Sequence, residues 1–179
     1  MSLRIAALGL LAQQPGSGYD LLRRFEKSMA NVWPATQSQL YGELNKLADA
    51  GLIEVTDVGP RGRKEYQVTD AGRGELLRWV TTPQDDPPYR NPALLRVFLL
   101  GEIPPEDARQ YMMSVAEHCD SELARLEQLR DCIHWTDADA DFYGRAALEY
   151  GLRKEATEAE WARWLVKAID VRSASTQPS

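Results

Sequence analysis

The sequence predicts a mainly α-helical protein with two domains, the first of which carries a β-hairpin. Two observations lead to this prediction. Residues 1–82 combine short stretches of helical periodicity with two β-prone runs joined by glycine and proline. Residues 92–172 instead repeat apolar side chains at helical spacing over two much longer stretches. With 179 residues, of which 44% are hydrophobic and 27% charged, the chain is long enough to bury a core in each domain.

The first two helices are separated by Pro15 and Gly16, which interrupt helical structure. Residues 3–13 are apolar nearly all round, as is typical of a buried helix. Ser17 is a suitable N-cap for the second helix, and Asp20 stands at the third helical position, where a carboxylate also favours the helix dipole. We therefore expect one buried helix followed by a shorter amphipathic one.

The third helix, residues 36–51, is the best defined in the sequence. Thr36 and Gln39 have the spacing of a capping box, and Gly51 is typical of a helix end. The leucines of this stretch fall on one face, so uncharged hydrogen-bonding side chains collect on another: Gln37, Ser38, Tyr41 and Asn45. Amides and hydroxyls suit the base edges of a DNA major groove, although most polar helix faces are only solvated.

A β-hairpin with a basic tip is predicted next. Residues 52–56 and 65–69 are the two β-prone runs, and the segment DVGPRGRK between them contains turn-forming glycines and a proline. The tip carries three basic residues: Arg61, Arg63 and Lys64. A solvated basic loop is the simplest explanation in isolation, but beside the third helix the same charges would reach a phosphate backbone.

A fourth helix, capped by Thr69, follows the hairpin, and we expect its apolar side to consist of Leu76, Leu77 and Val80 with Trp79 beside them. Three helices, a hairpin wing and a fourth helix are the element order of a winged helix-turn-helix domain. The sequence therefore predicts this domain for residues 1–82.

The distribution of charge is compatible with a nucleic-acid partner, although the total is not. A net charge of −6 and an isoelectric point near 5.0 argue against such a partner. However, residues 1–82 carry 10 Lys and Arg against 9 Asp and Glu, whereas residues 83–179 carry 11 against 18. A near-neutral first domain with clustered basic side chains can still contact phosphates.

Three stretches of the first domain carry a family resemblance: LGLLAQQPGSGYDLLRRFEKS, SQLYGELNKLADAGLIE and RGRKEYQVTDAGRGEL. As a set, over roughly residues 3–82, they resemble the DNA-binding domain of the PadR family of bacterial transcriptional regulators. The resemblance implies that Tyr19, Ser38, Gln39 and Tyr41 meet DNA and that the wing tip meets the backbone. Gln39 has a second use, because its side chain also serves the capping box.

The two domains are divided by residues 83–91, PQDDPPYRN, whose three prolines exclude a continuous helix. We expect a linker there, a helical dimerisation and effector domain over residues 92–172, and a disordered tail over residues 173–179. This arrangement also resembles PadR proteins with a large C-terminal domain.

The second domain is expected to be a helical dimerisation unit. A short helix, apolar enough to be buried, is predicted around residues 94–100, followed by long helices from Pro105 to about Ile133 and from Phe142 to about Val171. Two long amphipathic helices with few elements to cover them predict a two-fold homodimer packed helix on helix.

Aromatic residues in the last helix suit a small aromatic effector, because flat ligands stack on such rings. The candidate effector-binding residues are Tyr150, Trp161 and Trp164. Core packing or a dimer contact explains the same residues more simply.

An enzyme is not expected, because the sequence lacks a Gly-rich phosphate loop, G-x-S-x-G and HExxH. Cys119 and Cys132, each near a histidine, stand thirteen residues apart on one predicted helix, too far apart to share a metal ion. We therefore expect no metal and no cofactor. Two cysteines and the lack of a membrane-spanning apolar segment favour the cytoplasm.

These observations predict a sequence-specific DNA-binding transcriptional regulator: a homodimeric repressor of PadR type that responds to a small-molecule effector. Its partners would be double-stranded DNA, a second copy of the chain and the effector, with no membrane. The alternative is a winged-helix protein-interaction module that never touches DNA, which the net charge of −6 would suit.

Overall fold

The computed structural model describes residues 2–83, 88 and 90–176. The chain forms two compact units, Met1–Pro87 and Pro88–Ser179. The division falls within the predicted linker, of which residues 84–87 and 89 lie outside the described part. None of the helices in the described part is long and apolar enough to cross a membrane.

The described part of the first unit contains four α-helices and a small antiparallel sheet. The helices are α1 (Ser2–Gln13), α2 (Gly18–Lys27), α3 (Gln37–Asp49) and α4 (Asp70–Thr81). The strands are β1 (Gly16–Ser17), β2 (Ile53–Val58) and β3 (Lys64–Val68), in the order β1-β3-β2. This is the winged helix-turn-helix architecture, with β2 and β3 as the wing.

The wing is longer than the sequence predicts, and it has a third strand that the sequence did not reveal. A 3₁₀ turn at Pro60–Gly62 connects β2 and β3, and Gly62 has a φ of +77°, a conformation that favours glycine. The two residues of β1 pair with Tyr66 and Glu65 of β3. A strand of two residues is too short to show an alternating pattern in the sequence. It forms only because its backbone pairs with β3 of the wing.

The predicted caps of α2 and α3 are confirmed. In α3, the hydroxyl of Thr36 accepts from Gln39 N at 3.3 Å, and Thr36 N donates to Gln39 Oε1 at 2.8 Å. Ser17 and Asp20 form the same reciprocal pair at the start of α2. Both ends are fixed by contacts within three residues, which is why local sequence was sufficient to find them.

The core of the first unit lies between the helices and one face of the sheet. Its fully buried side chains come from α1, α2, α3 and β2: Leu8, Leu11, Leu21, Phe25, Leu40, Leu44, Leu47 and Ile53. The burial predicted for α1 and for the leucine face of α3 is therefore confirmed. The packing leaves the remaining face of α3 toward solvent.

The predicted apolar side of α4 is partly wrong. Leu76 and Trp79 pack against the core, but Leu77 and Val80 are 65% and 67% exposed. The helix is rotated so that Gly72, the residue one turn before Leu76, faces the chain at Leu52. A β-carbon on Gly72 would lie 2.1 Å from the Leu52 carbonyl oxygen, so this close approach fixes which face turns inward.

The second unit is built on α5 (Pro92–Leu99), α6 (Pro105–Cys132) and α7 (Asp139–Thr176), with a 3₁₀ turn at Leu100–Glu102. The helices α6 and α7 are antiparallel, because Arg109 pairs with Asp170 at 2.9 Å and Asp120 pairs with Arg163. Met112, Ala116 and Ala162 form the centre of their seam. The two long helices were thus predicted, but α7 begins before Phe142 and ends after Val171.

The predicted disordered tail is corrected in part. Helix α7 continues to Thr176, four residues beyond the expected boundary at 172, and the hydroxyl of Ser175 donates to the carbonyl of Val171 at 2.9 Å. This serine hydroxyl returns a hydrogen bond to the preceding turn of the helix, which an argument from composition does not consider. Residues 177–179 lie outside the described part.

The prediction that the short helix α5 is buried is wrong for one chain. Only Val97 and Leu100 pack against the seam of α6 and α7. Leu94, Leu95, Phe98 and Leu99 are exposed, and Phe98 reaches 88%. Two antiparallel helices offer a single narrow seam, so most of the apolar surface of α5 is left uncovered by the described residues of the second unit.

Candidate nucleic-acid interface

The outer face of α3 presents the side chains that the sequence singled out. Gln37, Ser38, Gln39, Tyr41 and Asn45 are all exposed, while the leucines on the opposite side are buried. The capping box fixes the start of the helix, and the leucines fix its rotation. The result is an uncharged surface of amides and hydroxyls on a helix that its cap and its buried leucines hold in place.

Gln39 has only part of its side chain available to an outside partner. Its amide oxygen accepts from both Thr36 N at 2.8 Å and Thr36 Oγ1 at 3.2 Å. The amide nitrogen remains as a donor. Within this set, Gln39 is therefore a weaker candidate for base contact than Ser38 or Tyr41.

The start of α2 adjoins α3 and adds an aromatic side chain to the surface. Tyr19 is exposed, and the guanidinium carbon of Arg23 lies 6.0 Å from the centroid of its ring. Tyr41 packs its ring over Gly18, the residue before Tyr19. Tyr19 and Tyr41 therefore stand on adjoining helix starts, and Arg23 adds a positive charge that the sequence analysis did not assign to the site.

Two of the three basic residues predicted at the wing tip can be described, and they differ in their contacts. Lys64 is exposed. Arg63 donates to Asp20 Oδ2 at 2.9 Å and to Glu65 Oε1 at 3.0 Å, so two carboxylates face its charge. The side chain of Arg61 lies outside the described part.

Asp20 also belongs to this region, although its pattern in the sequence predicts only a helix cap. It lines an open cavity of about 430 Å³ beside the wing, together with Gly16, Arg23, Arg24, Lys27 and Glu65 among others. Arg24 is held there by Leu10 and Gln14, whose carbonyls at the end of α1 accept from its Nη1 at 3.0 and 2.7 Å. The capping pattern of Ser17 and Asp20 is visible in the sequence, but no local pattern shows that the carboxylate of Asp20 also binds Arg63 of the wing.

The three candidate effector residues do not form one pocket. Trp161 packs against the seam of α6 and α7, whereas Tyr150 and Trp164 are exposed. Tyr150 lines a shallow surface cavity of about 300 Å³ with Arg153, Lys154, Thr157 and Glu158, all from α7. Tyr150 and Trp161 are eleven residues apart on one helix, about 16 Å along its axis, so one small ligand cannot stack on both.

One group in the described part has the spacing of metal ligands: Cys119, Glu155 and Glu158, with ligand atoms within 4.8 Å of one another. Lys154 already lies there, with its ammonium 2.9 Å from Glu155 and 3.3 Å from Glu158. Burial, together with these two carboxylates, raises the pKa of the Cys119 thiol. With a protonated thiol and the ammonium of Lys154 already paired with both carboxylates, the group is a partly buried polar contact between α6 and α7.

Two family models match the chain, one for each unit. Residues 7–78 match the transcriptional regulator PadR-like family, and residues 89–170 match the virulence activator alpha C-terminal family. The first match contains α2, α3 and the wing, which form the surface described above.

Known proteins resemble the chain over nearly its whole length. The probable transcriptional regulator Rv1176c of Mycobacterium tuberculosis is 31% identical, with 94% of this chain and 98% of that protein covered. The negative transcriptional regulator PadR of Bacillus subtilis is 27% identical, with coverage of 94% and 97%. Its structure in complex with operator DNA superposes with a TM-score of 0.82 at 26% identity, covering 94% of this chain and 99% of that one. Its structure in complex with p-coumaric acid gives the same TM-score and identity, with coverage of 95% and 99%.

These relatives are transcriptional regulators and not enzymes, and they extend over both units of this chain. The family match on the first unit, the winged helix-turn-helix architecture and the exposed polar face of α3 agree with one another. The chain belongs to the PadR-like family of transcriptional regulators.

Proposed function

We propose that the protein is a homodimeric repressor that binds a roughly palindromic operator and releases it when a small aromatic effector binds. The observation that carries this proposal is the outward, uncharged face of α3 beside the wing. In the Bacillus subtilis relative, a negative regulator, the matching architecture was solved on operator DNA. As a DNA-binding regulator, the protein would act in the cytoplasm.

Reading of the operator is assigned to α3. Ser38, Tyr41, Gln37 and Asn45 would meet base edges in the major groove, where hydroxyls and amides can distinguish base pairs. Tyr19 and the wing tip would meet the sugar-phosphate backbone, which fixes the register without reading sequence. Gln39 would contribute through its amide nitrogen only.

Dimerisation is assigned to the second unit, and the exposed apolar surface of α5 supports it. Four large apolar side chains are exposed on this helix of eight residues, and such a surface promotes aggregation unless a partner covers it. A second copy of the chain would cover it symmetrically. Two-fold symmetry would place two copies of α3 on half-sites about one or two helical turns apart.

The effector is proposed to be a small aromatic molecule bound by the second unit. The Bacillus subtilis relative was solved with p-coumaric acid, a molecule of this class. Tyr150 and Trp164 are the exposed candidates, and Trp161 would act only by supporting the seam. A ligand changes the spacing between the two winged helix-turn-helix units of the dimer only if it binds the conformation with one spacing more tightly than the conformation with the other.

A binding titration with matched variants tests this function. The protein is titrated with the DNA upstream of its own gene and with shuffled DNA of equal length, at two salt concentrations. Wild type should prefer the upstream DNA, and Ser38→Ala with Tyr41→Ala should lose about tenfold of that preference.

Gln128→Ala, which removes an exposed amide from α6, is the control and should bind as wild type does. Equal binding of wild type to the two DNAs would instead favour a winged-helix module that binds proteins.

A further inference from the structure

The guanidinium of Arg63 at the wing tip is held by two carboxylates. Its Nη2 donates to Asp20 Oδ2 at 2.9 Å, and its Nε donates to Glu65 Oε1 at 3.0 Å. These bonds occupy two of the five N–H donors of the guanidinium, and the two negative charges offset its positive charge, so a phosphate attracts it less strongly than it would attract an unpaired cation. The side chain of the neighbouring Lys64 is exposed, and its charge is available to a phosphate.

Asp20 is itself fixed in place by the cap of α2. Its Oδ2 accepts from the hydroxyl of Ser17 at 2.6 Å and from Ser17 N at 3.2 Å. The hydrogen bond from the Ser17 hydroxyl is the main cause that lowers the pKa of Asp20, and Arg63 and Arg24 lower it further. The carboxylate is therefore ionised at neutral pH and anchored to the first turn of α2.

The contact between Arg63 and Asp20 joins two parts of the candidate interface that are far apart in sequence. Asp20 directly follows Tyr19, and Arg63 directly precedes Lys64. Next to this contact, the backbone of β1 pairs with Glu65 and Tyr66 of β3. One strand pair and one ion pair thus fix the angle between the wing and the start of α2.

We propose that Arg63 is a positioning residue: through Asp20 it holds the wing tip against the first turn of α2, and phosphate contact falls to Lys64 and Tyr19. The assignment rests on the proposed DNA-binding function. It differs from the sequence prediction, in which Arg63 itself contacts DNA.

The two roles make opposite predictions for Asp20→Asn. Asparagine keeps an oxygen for Ser17 but loses the charge that holds Arg63. If Arg63 positions the wing, Asp20→Asn and Arg63→Gln each weaken operator binding by about threefold to fivefold, the size of an exposed ion pair, and the double variant is no weaker than either single one. If Arg63 contacts phosphate, Asp20→Asn frees it and strengthens binding.

The salt dependence of binding supplies a readout that a general loss of stability would not move. Each phosphate contact contributes about one unit to the slope of log K against log salt. We expect Arg63→Gln to keep the wild-type slope and Lys64→Gln to lower it by about one unit. Equal melting temperatures would show that the variants are folded.

The assignment is overturned if Arg63→Gln lowers the slope as Lys64→Gln does, or if Asp20→Asn tightens binding. A wild-type protein that does not prefer its operator to shuffled DNA would remove the proposed function and this assignment together. The first two outcomes would leave the function intact, so the two failures can be told apart.

Discussion

The ring of Tyr41 lies so close to Gly18 that a β-carbon on Gly18 would stand 2.6 Å from Tyr41 Cε1. Real β-carbons do not approach other atoms this closely, so the ring can occupy its present place only over a glycine. Gly18 begins α2 and Tyr41 belongs to the outer face of α3. The packing of two helix starts thereby sets the orientation of a side chain proposed to read DNA.

Gly18→Ala is expected to displace the Tyr41 ring and to impair operator preference more than it impairs folding. Overpacking by one methyl group destabilises a protein by about 1–3 kcal/mol, and a side chain that can swing toward solvent reduces this loss. We expect operator preference to fall about as far as it does in Tyr41→Ala, and no further in the double variant. Competition titrations and thermal unfolding measure the two effects.

The control for this experiment is Gly9→Ala in α1, where an added β-carbon meets only Met29 Cε at an ordinary 3.9 Å. That variant should keep wild-type operator preference. If Gly18→Ala does so as well, the ring of Tyr41 is not held in the orientation that binding requires.

Gly72→Ala is expected to be among the most damaging single changes in the first unit. Its β-carbon would meet the Leu52 carbonyl oxygen at 2.1 Å and Val68 Cγ1 at 2.9 Å. A backbone atom cannot swing aside, so α4 must move away from the sheet, and we expect a loss of about 3 kcal/mol or more in the free energy of unfolding.

Gly74→Ala, two residues along the same helix, has nothing within 4 Å of the added carbon. It should stabilise the protein by about 0.5–1 kcal/mol, because alanine is the better helix former. Chemical denaturation of the two variants measures the difference. Similar stabilities would mean that α4 does not approach Leu52 as closely as the structure shows.

Features fixed by contacts within one helical turn were predicted from the sequence, and features fixed by distant contacts were not. The capping box of Thr36 and Gln39 and the buried leucines of α3 belong to the first kind. The inward face of α4 depends on Leu52, and one of the two carboxylates that bind Arg63 belongs to Asp20, 43 residues away. A pattern within a short stretch of sequence cannot reveal contacts between residues so far apart in the chain.

The candidate site divides in the same way. The polar face of α3 follows from helical rotation alone, so its exposure was predictable. The separation of Trp161 in the seam from exposed Tyr150 and Trp164 depends on how α7 meets α6. The role of each residue in binding DNA or an effector remains a prediction.

Phe98→Glu is expected to convert the protein from dimer to monomer at micromolar concentration. The side chain is 88% exposed in one chain and is the most exposed of the four large apolar side chains of α5. A buried charge without a partner destabilises an interface by several kcal/mol. Sedimentation velocity measures the change in mass, and operator binding should weaken with it because two half-sites are no longer held together.

Val58→Glu, which places the same charge on an exposed apolar position of the wing, should leave the mass unchanged. A Phe98→Glu protein that sediments as wild type does would place the dimer contact away from α5. A monomeric wild-type protein would contradict the dimer altogether.

The two cysteines are expected to differ sharply in reactivity toward a thiol reagent. Cys119 is buried between α6 and α7, and burial with the nearby Glu155 and Glu158 raises its thiol pKa, whereas Cys132 is exposed at the end of α6. The thiolate is the reactive form, so one thiol per chain should react rapidly at neutral pH in the folded protein. Unfolding in denaturant should release the second thiol.

Cys132→Ser assigns the rapid reaction, because this variant should lose it entirely while Cys119→Ser keeps it. Residual slow labelling in Cys132→Ser should follow the opening of the seam between α6 and α7, since a protonated thiol packed at 2% exposure cannot react in place. Rapid labelling of Cys132→Ser would mean that α6 and α7 separate readily around Cys119.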